Sequence, residues 1–318
     1  MKIVILDGQI ITRDDLTFAS LLVAGELCFH AHTYANDVIS TIGDADIVLT
    51  HSCPIDKKVY DYCPNLKYIG CLSDSYAHID VINAKKKGIA VTTVRGYATE
   101  SVAQYTWAMI LDAVTGMRET AQIIRSHPVI DKELLDFTYP EFGLLQNMHL
   151  GIVGFGEIGR RVSEIASGFG MDISIVTYHP DHSRASNKLE FTDLDNALAK
   201  SDIITLHKSL TESSRNLIGE DTIDIIKAGA TLINTASAGL IDEAYLEAAL
   251  INGRIGKAYL DVVDKEPIPE NYALLALENC YLTPHIAWAS HDSREAIIHK
   301  VLRNINSFLI GDMQNRIV

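Results

Sequence analysis

Short apolar runs and amphipathic stretches alternate along the chain. Residues 3–6, 47–50, 66–72 and 90–94 read as strands, and residues 13–24, 57–63 and 79–87 between them as helices. Strands alternating with helices predict a parallel α/β unit. Residues 99–125 follow as a long helical stretch, in which Thr99-Glu100-Ser101-Val102 offers a cap, Ala103, Trp107, Ile110, Leu111 and Val114 keep helical spacing, and Gly116 marks a bend. A polar, aromatic loop is expected over residues 127–147. The alternation then resumes, with strands at 150–153, 173–177, 203–206, 231–235, 258–262 and 281–283 and helices at 160–169, 194–199 and 243–252. Six such strands suit a second, doubly wound sheet. Residues 290–309 read as a last helix, free to return to the first unit.

The second sheet opens on His149-Leu150-Gly151-Ile152-Val153-Gly154-Phe155-Gly156-Glu157-Ile158-Gly159. A bare G-x-G-x-x-G is a weak signal, but here it lies between a buried strand and an amphipathic helix, the context that dinucleotide binding requires. Gly154 permits the tight turn, Gly156 lets the backbone approach a pyrophosphate, and Gly159 lets helix pack on strand, leaving helix N–H groups aimed at the phosphates. Phe155, Glu157 and Ile158 complete the expected cofactor segment.

Composition narrows the picture. At 318 residues the chain is long for one core, and a prior of roughly 150 residues per domain suggests two. Its apolar residues, 47% of the total, never approach the roughly 18 in a row that a membrane helix needs. The chain starts on strand-like Lys2-Ile3-Val4-Ile5-Leu6, so no export signal is expected. The five cysteines show no C-x-x-C spacing, which fits reduced thiols in a cytoplasmic protein. A net charge of −14, with Lys85-Lys86-Lys87 as the longest basic run, argues against nucleic acid. Those lysines precede Gly88 and read as a solvated helix end. His30-Ala31-His32 has no second cluster of matching spacing, so no metal site is expected.

Three chemical groups follow predicted strands: Asp261 and Glu266 in Leu260-Asp261-Val262-Val263-Asp264-Lys265-Glu266-Pro267, and His285 in Leu282-Thr283-Pro284-His285-Ile286-Ala287-Trp288. Ligands of open α/β sheets bind beyond the carboxyl ends of strands. A carboxylate beside an imidazole orients it and favours its protonated form, making an acid available near neutral pH. Taken alone, a histidine after a proline is more often structural.

These two blocks, the glycine turn and Asn65-Leu66-Lys67-Tyr68-Ile69-Gly70 resemble the D-isomer-specific 2-hydroxyacid dehydrogenases nearly end to end. Gly96-Tyr97-Ala98-Thr99-Glu100-Ser101-Val102-Ala103-Gln104 and His285-Ile286-Ala287-Trp288 lean toward the hydroxypyruvate and glyoxylate reductase branch. The resemblance implies an α/β protein of two doubly wound domains, a Rossmann dinucleotide-binding domain (residues 101–287) inserted in a flavodoxin-like substrate domain (residues 1–100 and 288–318). It implies that His285 is the proton donor, Glu266 its partner and Asp261 a contact of the nicotinamide carboxamide. His207, Thr235 and Ala236 are implied as further cofactor contacts, and Ser73, Asp74, Ser75, Arg95, Tyr97 and Trp288 as substrate contacts. It also implies a homodimer joined through the nucleotide domains.

The chain departs from the family at Ser237, where the pattern has an arginine that holds the substrate carboxylate and polarises the carbonyl. A serine hydroxyl does not replace a bidentate, permanently charged fork, and losing one such group typically costs about 10²–10³ in rate. Arg95 is the candidate for rescue. Asp74-Ser75 stands where a Thr-Gly-like pair is usual, Lys208 in place of a proline after His207, and Lys257 and Tyr259 in place of small residues. The second strand of this domain ends Ile175-Val176-Thr177-Tyr178-His179-Pro180, with Thr177 or His179 at the position where a carboxylate would bind the ribose of NAD. His179, His182 and Arg184 suit a 2′-phosphate, so NADP is favoured over NAD. The expected function is an NAD(P)-dependent oxidoreductase that reduces a small 2-oxo acid, weakened or altered by Ser237. The alternative is a catalytically impaired dinucleotide-binding protein with a regulatory or interaction role.

Overall fold

The computed structural model describes residues 1–126, 142–312 and 314–318. Backbone packing divides the chain into two units, Met1–Ala98 with Ala289–Val318, and Thr99–Trp288. In the first, strands β1 (Lys2–Ile5), β2 (Glu26–Phe29), β3 (Ile47–Thr50), β4 (Tyr68–Cys71) and β5 (Ala90–Thr92) form a parallel sheet in the order β2-β1-β3-β4-β5. This is the flavodoxin-like order. β3 and β4 are buried along their whole length, as strands covered on both faces must be. The helices are α1 (Gln9–Thr12), α2 (Val38–Ile42), α3 (Lys57–Tyr62) and α4 (Val81–Lys87). Asp56 and Asp80 cap α3 and α4 by accepting backbone N–H groups, and left-handed Gly88 ends α4 after its three lysines.

Two expectations for this unit need correction. Residues 13–24 are not a continuous helix: α1 stops at Thr12, Arg13 and Asp14 are left-handed (φ 41° and 65°), and only Ala19–Val23 forms a 3₁₀ turn. The cause is tertiary. The buried Arg294 guanidinium grips both Asp15 oxygens and donates to the Ile11 carbonyl, which a longer helix would have paired with the Asp15 N–H; that N–H turns to the Thr12 carbonyl instead. Strand β2 lies at the sheet edge, half exposed, and its apolar run is only the three residues Leu27-Cys28-Phe29, too short to stand out as a strand in the sequence.

The second unit begins with α5 (Thr99–Thr115) and α6 (Met117–Ser126), which meet at Gly116 with φ 59°, the anticipated bend. Of the expected loop over residues 127–147, residues 127–141 lie outside the described residues, and Leu145–Asn147 is a 3₁₀ turn. There follow β6 (His149–Val153), α7 (Glu157–Gly168), β7 (Asp172–Val176), β8 (Leu189–Phe191), α8 (Leu194–Lys200), β9 (Ile203–Leu206), β10 (Ala230–Asn234), α9 (Glu243–Ile251), β11 (Ile255–Leu260) and β12 (Cys280–Leu282). The sheet is parallel, in the order β12-β11-β10-β9-β6-β7-β8. It has seven strands, because β8 is another short edge strand without a strong apolar signal. Alternate side chains supply two cores: Ile204, Leu206, Leu232 and Leu260 on one face, and Leu150, Ile152, Ile203 and Ile233 on the other. Strand order reverses between β6 and β9, the switch point beyond which α/β sheets bind ligands. The chain ends with α10 (His291–Leu309), capped by Ser290 and part of the first unit.

Candidate active site

The glycine turn after β6 shows why each glycine is there. Gly154 has φ 104°, and a Cβ on it would lie 2.6 Å from the His207 carbonyl carbon and 2.7 Å from the Lys208 nitrogen. A Cβ on Gly159 would lie 2.1 Å from the Gly154 oxygen, whereas one on Gly156 would meet nothing within 4 Å. The first and third glycines allow close packing, and the second leaves room at the N-terminus of α7, as a pyrophosphate requires. Phe155 is buried against Phe191. Glu157 accepts from Thr99 Oγ1 (3.1 Å) and Ile158 packs into the core, so these two side chains are engaged within the unit.

A cavity of about 600 Å³ opens beside this turn. Its walls are Gly154, Phe155, Gly156 and Arg160, then Val176, Thr177, Tyr178 and His179 after β7, and His207, Lys208, Ser209, Thr211 and Ser213 after β9. Cations, hydroxyls and glycines line it, with no carboxylate among them. Both ring nitrogens of His207 are buried without a hydrogen-bond partner, and burial lowers its pKa to about 4, so the ring is neutral. Unpaired buried polar atoms facing a glycine-rich phosphate cradle fit a dinucleotide. Of the residues expected for a 2′-phosphate, His179 lines the cavity. His182 instead packs edge-on against Phe191, and Arg184 pairs with Asp181 at 3.3 Å. Arg160, Tyr178, Lys208 and Ser213 also line the cavity, and no local motif marks them for a cofactor. Only folding brings the β7 and β9 loops together.

Beyond β11 and β12 the chemical groups converge. Asp261 is 1% exposed. Its Oδ1 accepts from Thr283 Oγ1 (2.6 Å) and the Ile286 N–H (2.9 Å), and its Oδ2 from the Ala287 N–H (2.8 Å). Burial raises its pKa, and these donors oppose the rise. Asp261 thus clamps the turn that carries His285, which sits at φ 53°, a conformation that costs a non-glycine residue energy and persists only when its surroundings enforce it. His285 Nδ1 lies 2.9 Å from Glu266 Oε2, and Glu266 Oε1 accepts from the Val263 N–H at 3.4 Å. The imidazole is half exposed, open to a reacting group. Trp288, three residues on, is buried.

At the end of β10, Asn234 Oδ1 accepts from the Ala236 and Ser237 N–H groups, and its Nδ2 donates to the Ser237 carbonyl at 2.7 Å. Thr235 Oγ1 meets Thr106 Oγ1 at 3.0 Å. The turn is therefore built, yet the side chain at 237 is an uncharged hydroxyl. Arg215 Nη1 lies 3.4 Å from where a Cβ on Gly239 would begin.

In the first unit, the expected substrate residues follow β4 and β5. Ser73 Oγ donates to the Ser75 carbonyl, and the Ser73 carbonyl accepts from the Val94 N–H. Lost hydration raises the Asp74 pKa, opposed by Arg95, and burial raises that of Tyr97. The Arg95 carbonyl accepts from Lys300 Nζ. Asp7, which no sequence motif marks, is a buried carboxylate after β1 that accepts from the His51, Ser52 and Cys53 N–H groups and from two hydroxyls. No group of three or more metal-ligating side chains occurs among the described residues.

Residues 107–287 match the family model described as D-isomer specific 2-hydroxyacid dehydrogenase, NAD binding domain. A hydroxypyruvate reductase of Blautia hydrogenotrophica is 33% identical, over 99% of this chain and 99% of that protein. A glyoxylate reductase of Thermofilum pendens is 36% identical over 89% of this chain and 84% of its own length. Among solved structures, a D-lactate dehydrogenase from Aquifex aeolicus, complexed with NAD and lactic acid, superposes with a TM-score of 0.84 at 27% identity, covering 100% of this chain and 99% of the other.

Proposed function

This chain belongs to the D-isomer-specific 2-hydroxyacid dehydrogenase family, a family of oxidoreductases, and on that premise we propose that it reduces a small 2-oxo acid of the hydroxypyruvate or glyoxylate class to the 2-hydroxy acid. The observation that carries the reading is the 2.9 Å contact of His285 Nδ1 with Glu266 Oε2 on the turn that Asp261 clamps. Dinucleotide binding falls to the second unit, with Gly154, Gly156 and the N-terminus of α7 taking the pyrophosphate, and Thr235, Ala236 and His207 as further contacts. When bound, the nicotinamide supplies the hydride. His285 delivers a proton to the substrate's carbonyl oxygen from Nε2, while Glu266, accepting from Nδ1, orients the ring and stabilises the imidazolium. Ser73, Asp74, Ser75, Arg95 and Tyr97 of the first unit and Trp288 of the second are the proposed substrate contacts. NADPH is the proposed cofactor, supported by a cavity lining of cations and hydroxyls without a carboxylate for a ribose diol. The assembly proposed is a homodimer.

Ser237 supports a second reading, a protein that binds the dinucleotide but turns over slowly. Loss of NADPH or NADH absorbance with glyoxylate, hydroxypyruvate and pyruvate, in the natural chain, Ser237→Arg and His285→Gln, decides between the two. Turnover in the natural chain, reduced at least about 100-fold by His285→Gln, supports the reductase. Cofactor binding with little turnover, raised about 10²–10³-fold by Ser237→Arg, supports the second reading. Turnover indifferent to His285→Gln overturns the assigned proton donor.

A further inference from the structure

The cofactor cavity holds one cation whose position sequence spacing did not anticipate. Lys208 leaves the end of β9 beside the buried His207, its backbone nitrogen packed against Gly154 of the phosphate turn. Its side chain crosses to the end of β7, where Nζ lies 3.8 Å from the centre of the Tyr178 ring. Tyr178 and Ser213 line the same cavity, so their hydroxyls lie near this ammonium. The ammonium is thus held over an aromatic face, yet among the described residues no carboxylate pairs with it.

The other cations near this cavity are differently placed. Arg160 Nε donates to the Phe155 carbonyl (3.2 Å) and its guanidinium lies over the Phe155 ring, on the phosphate-turn side. Arg184 pairs with Asp181. We propose that Lys208 selects NADPH over NADH by binding the adenosine 2′-phosphate, with the hydroxyls of Tyr178 and Ser213 beside it. The selecting charge then comes from the loop after β9 rather than from the loop after β7. A dianionic phosphate gains a charge-assisted contact from an ammonium already held in place, whereas a ribose 2′-hydroxyl leaves that ammonium without an anion.

This inference rests on the dinucleotide reading given above. The test is calorimetric binding of two fragments, adenosine 2′,5′-bisphosphate and adenosine 5′-monophosphate, to the full chain and to Lys208→Ala and Lys208→Arg. The natural chain should bind the bisphosphate about 10-fold or more tightly than the monophosphate, the size expected of one charge-assisted contact. Lys208→Ala should weaken the bisphosphate alone, bringing the two within about 3-fold, and Lys208→Arg should keep most of the preference. A preference that survives Lys208→Ala, or a loss shared equally by both fragments, overturns the role of Lys208 and leaves NADPH selection standing. Equal binding of both fragments by the natural chain overturns the role and the NADPH choice together. Failure to bind either fragment counts against the dinucleotide reading itself.

Discussion

Gly156 and Gly159 lie three residues apart in one motif, and the structure gives them opposite sensitivities. A methyl group on Gly156 fits the protein but occupies the space that a pyrophosphate would enter, while one on Gly159 collides with the Gly154 carbonyl at 2.1 Å. Gly156→Ala should therefore leave the thermal midpoint within about 1 °C and weaken NADPH binding about 10-fold or more, whereas Gly159→Ala should lower stability by about 2 kcal/mol. Thermal unfolding beside calorimetric titration reads both, and equal behaviour of the two variants would contradict the assigned roles. The glycines are legible in the sequence from their local context, and His285, Glu266 and Ser237 from the family resemblance of the blocks that carry them. Asp261 is legible as a group placed at a strand end, but its grip on the Thr283 hydroxyl and the Ile286 and Ala287 N–H groups is not, since it joins segments twenty-two or more residues apart.

Between elements, the departures at Lys257 and Tyr259 acquire a physical account. Tyr259 on β11 and Tyr281 on β12 are register partners with ring centres 4.5 Å apart. Tyr259 donates to Asp112 near the end of α5 at 2.9 Å, and Tyr281 to Glu119 on α6 at 2.6 Å, while Lys257 reaches the same Glu119 at 2.8 Å. Arg118 lies over the Tyr281 ring and pairs with Asp112. The cluster ties both sides of the Gly116 break to the sheet. Tyr259→Phe should cost about 1 kcal/mol through the lost hydrogen bond, and Tyr259→Ala about 3–5 kcal/mol through the cavity it leaves. Urea unfolding followed by tryptophan fluorescence is selective for this unit, because Trp107 and Trp288 both belong to it. Equal stability of Tyr259→Ala and the natural chain would show that the cluster contributes nothing.

At the scale of the whole molecule, Met117 on α6 is 72% exposed, and Ile124, Phe142 and Leu144 are exposed with it. These four side chains belong to the unit through which the proposed homodimer joins, and exposed apolar surface there is a reason to expect a partner, a second copy under that proposal. Sedimentation should give twice the mass of one chain, with Met117→Lys and Ile124→Lys together shifting it toward the monomer; a monomer at high concentration would remove the proposal. The sequence alone determined the α/β alternation and the glycine turn, because buried parallel strands and a phosphate turn each leave a local pattern of residue types, whereas the acid pair was legible only through the family resemblance. Tertiary structure decided the rest. Edge strands β2 and β8 pair with apolar runs of three residues or fewer, and Arg294 takes the Ile11 carbonyl at the end of α1 from the far end of the chain. Lys208 and Tyr178 meet only because β9 and β7 flank β6 in the sheet, which puts residues thirty apart on one cavity wall. Such pairings depend on which chain segments become neighbours in space, and no local pattern encodes that.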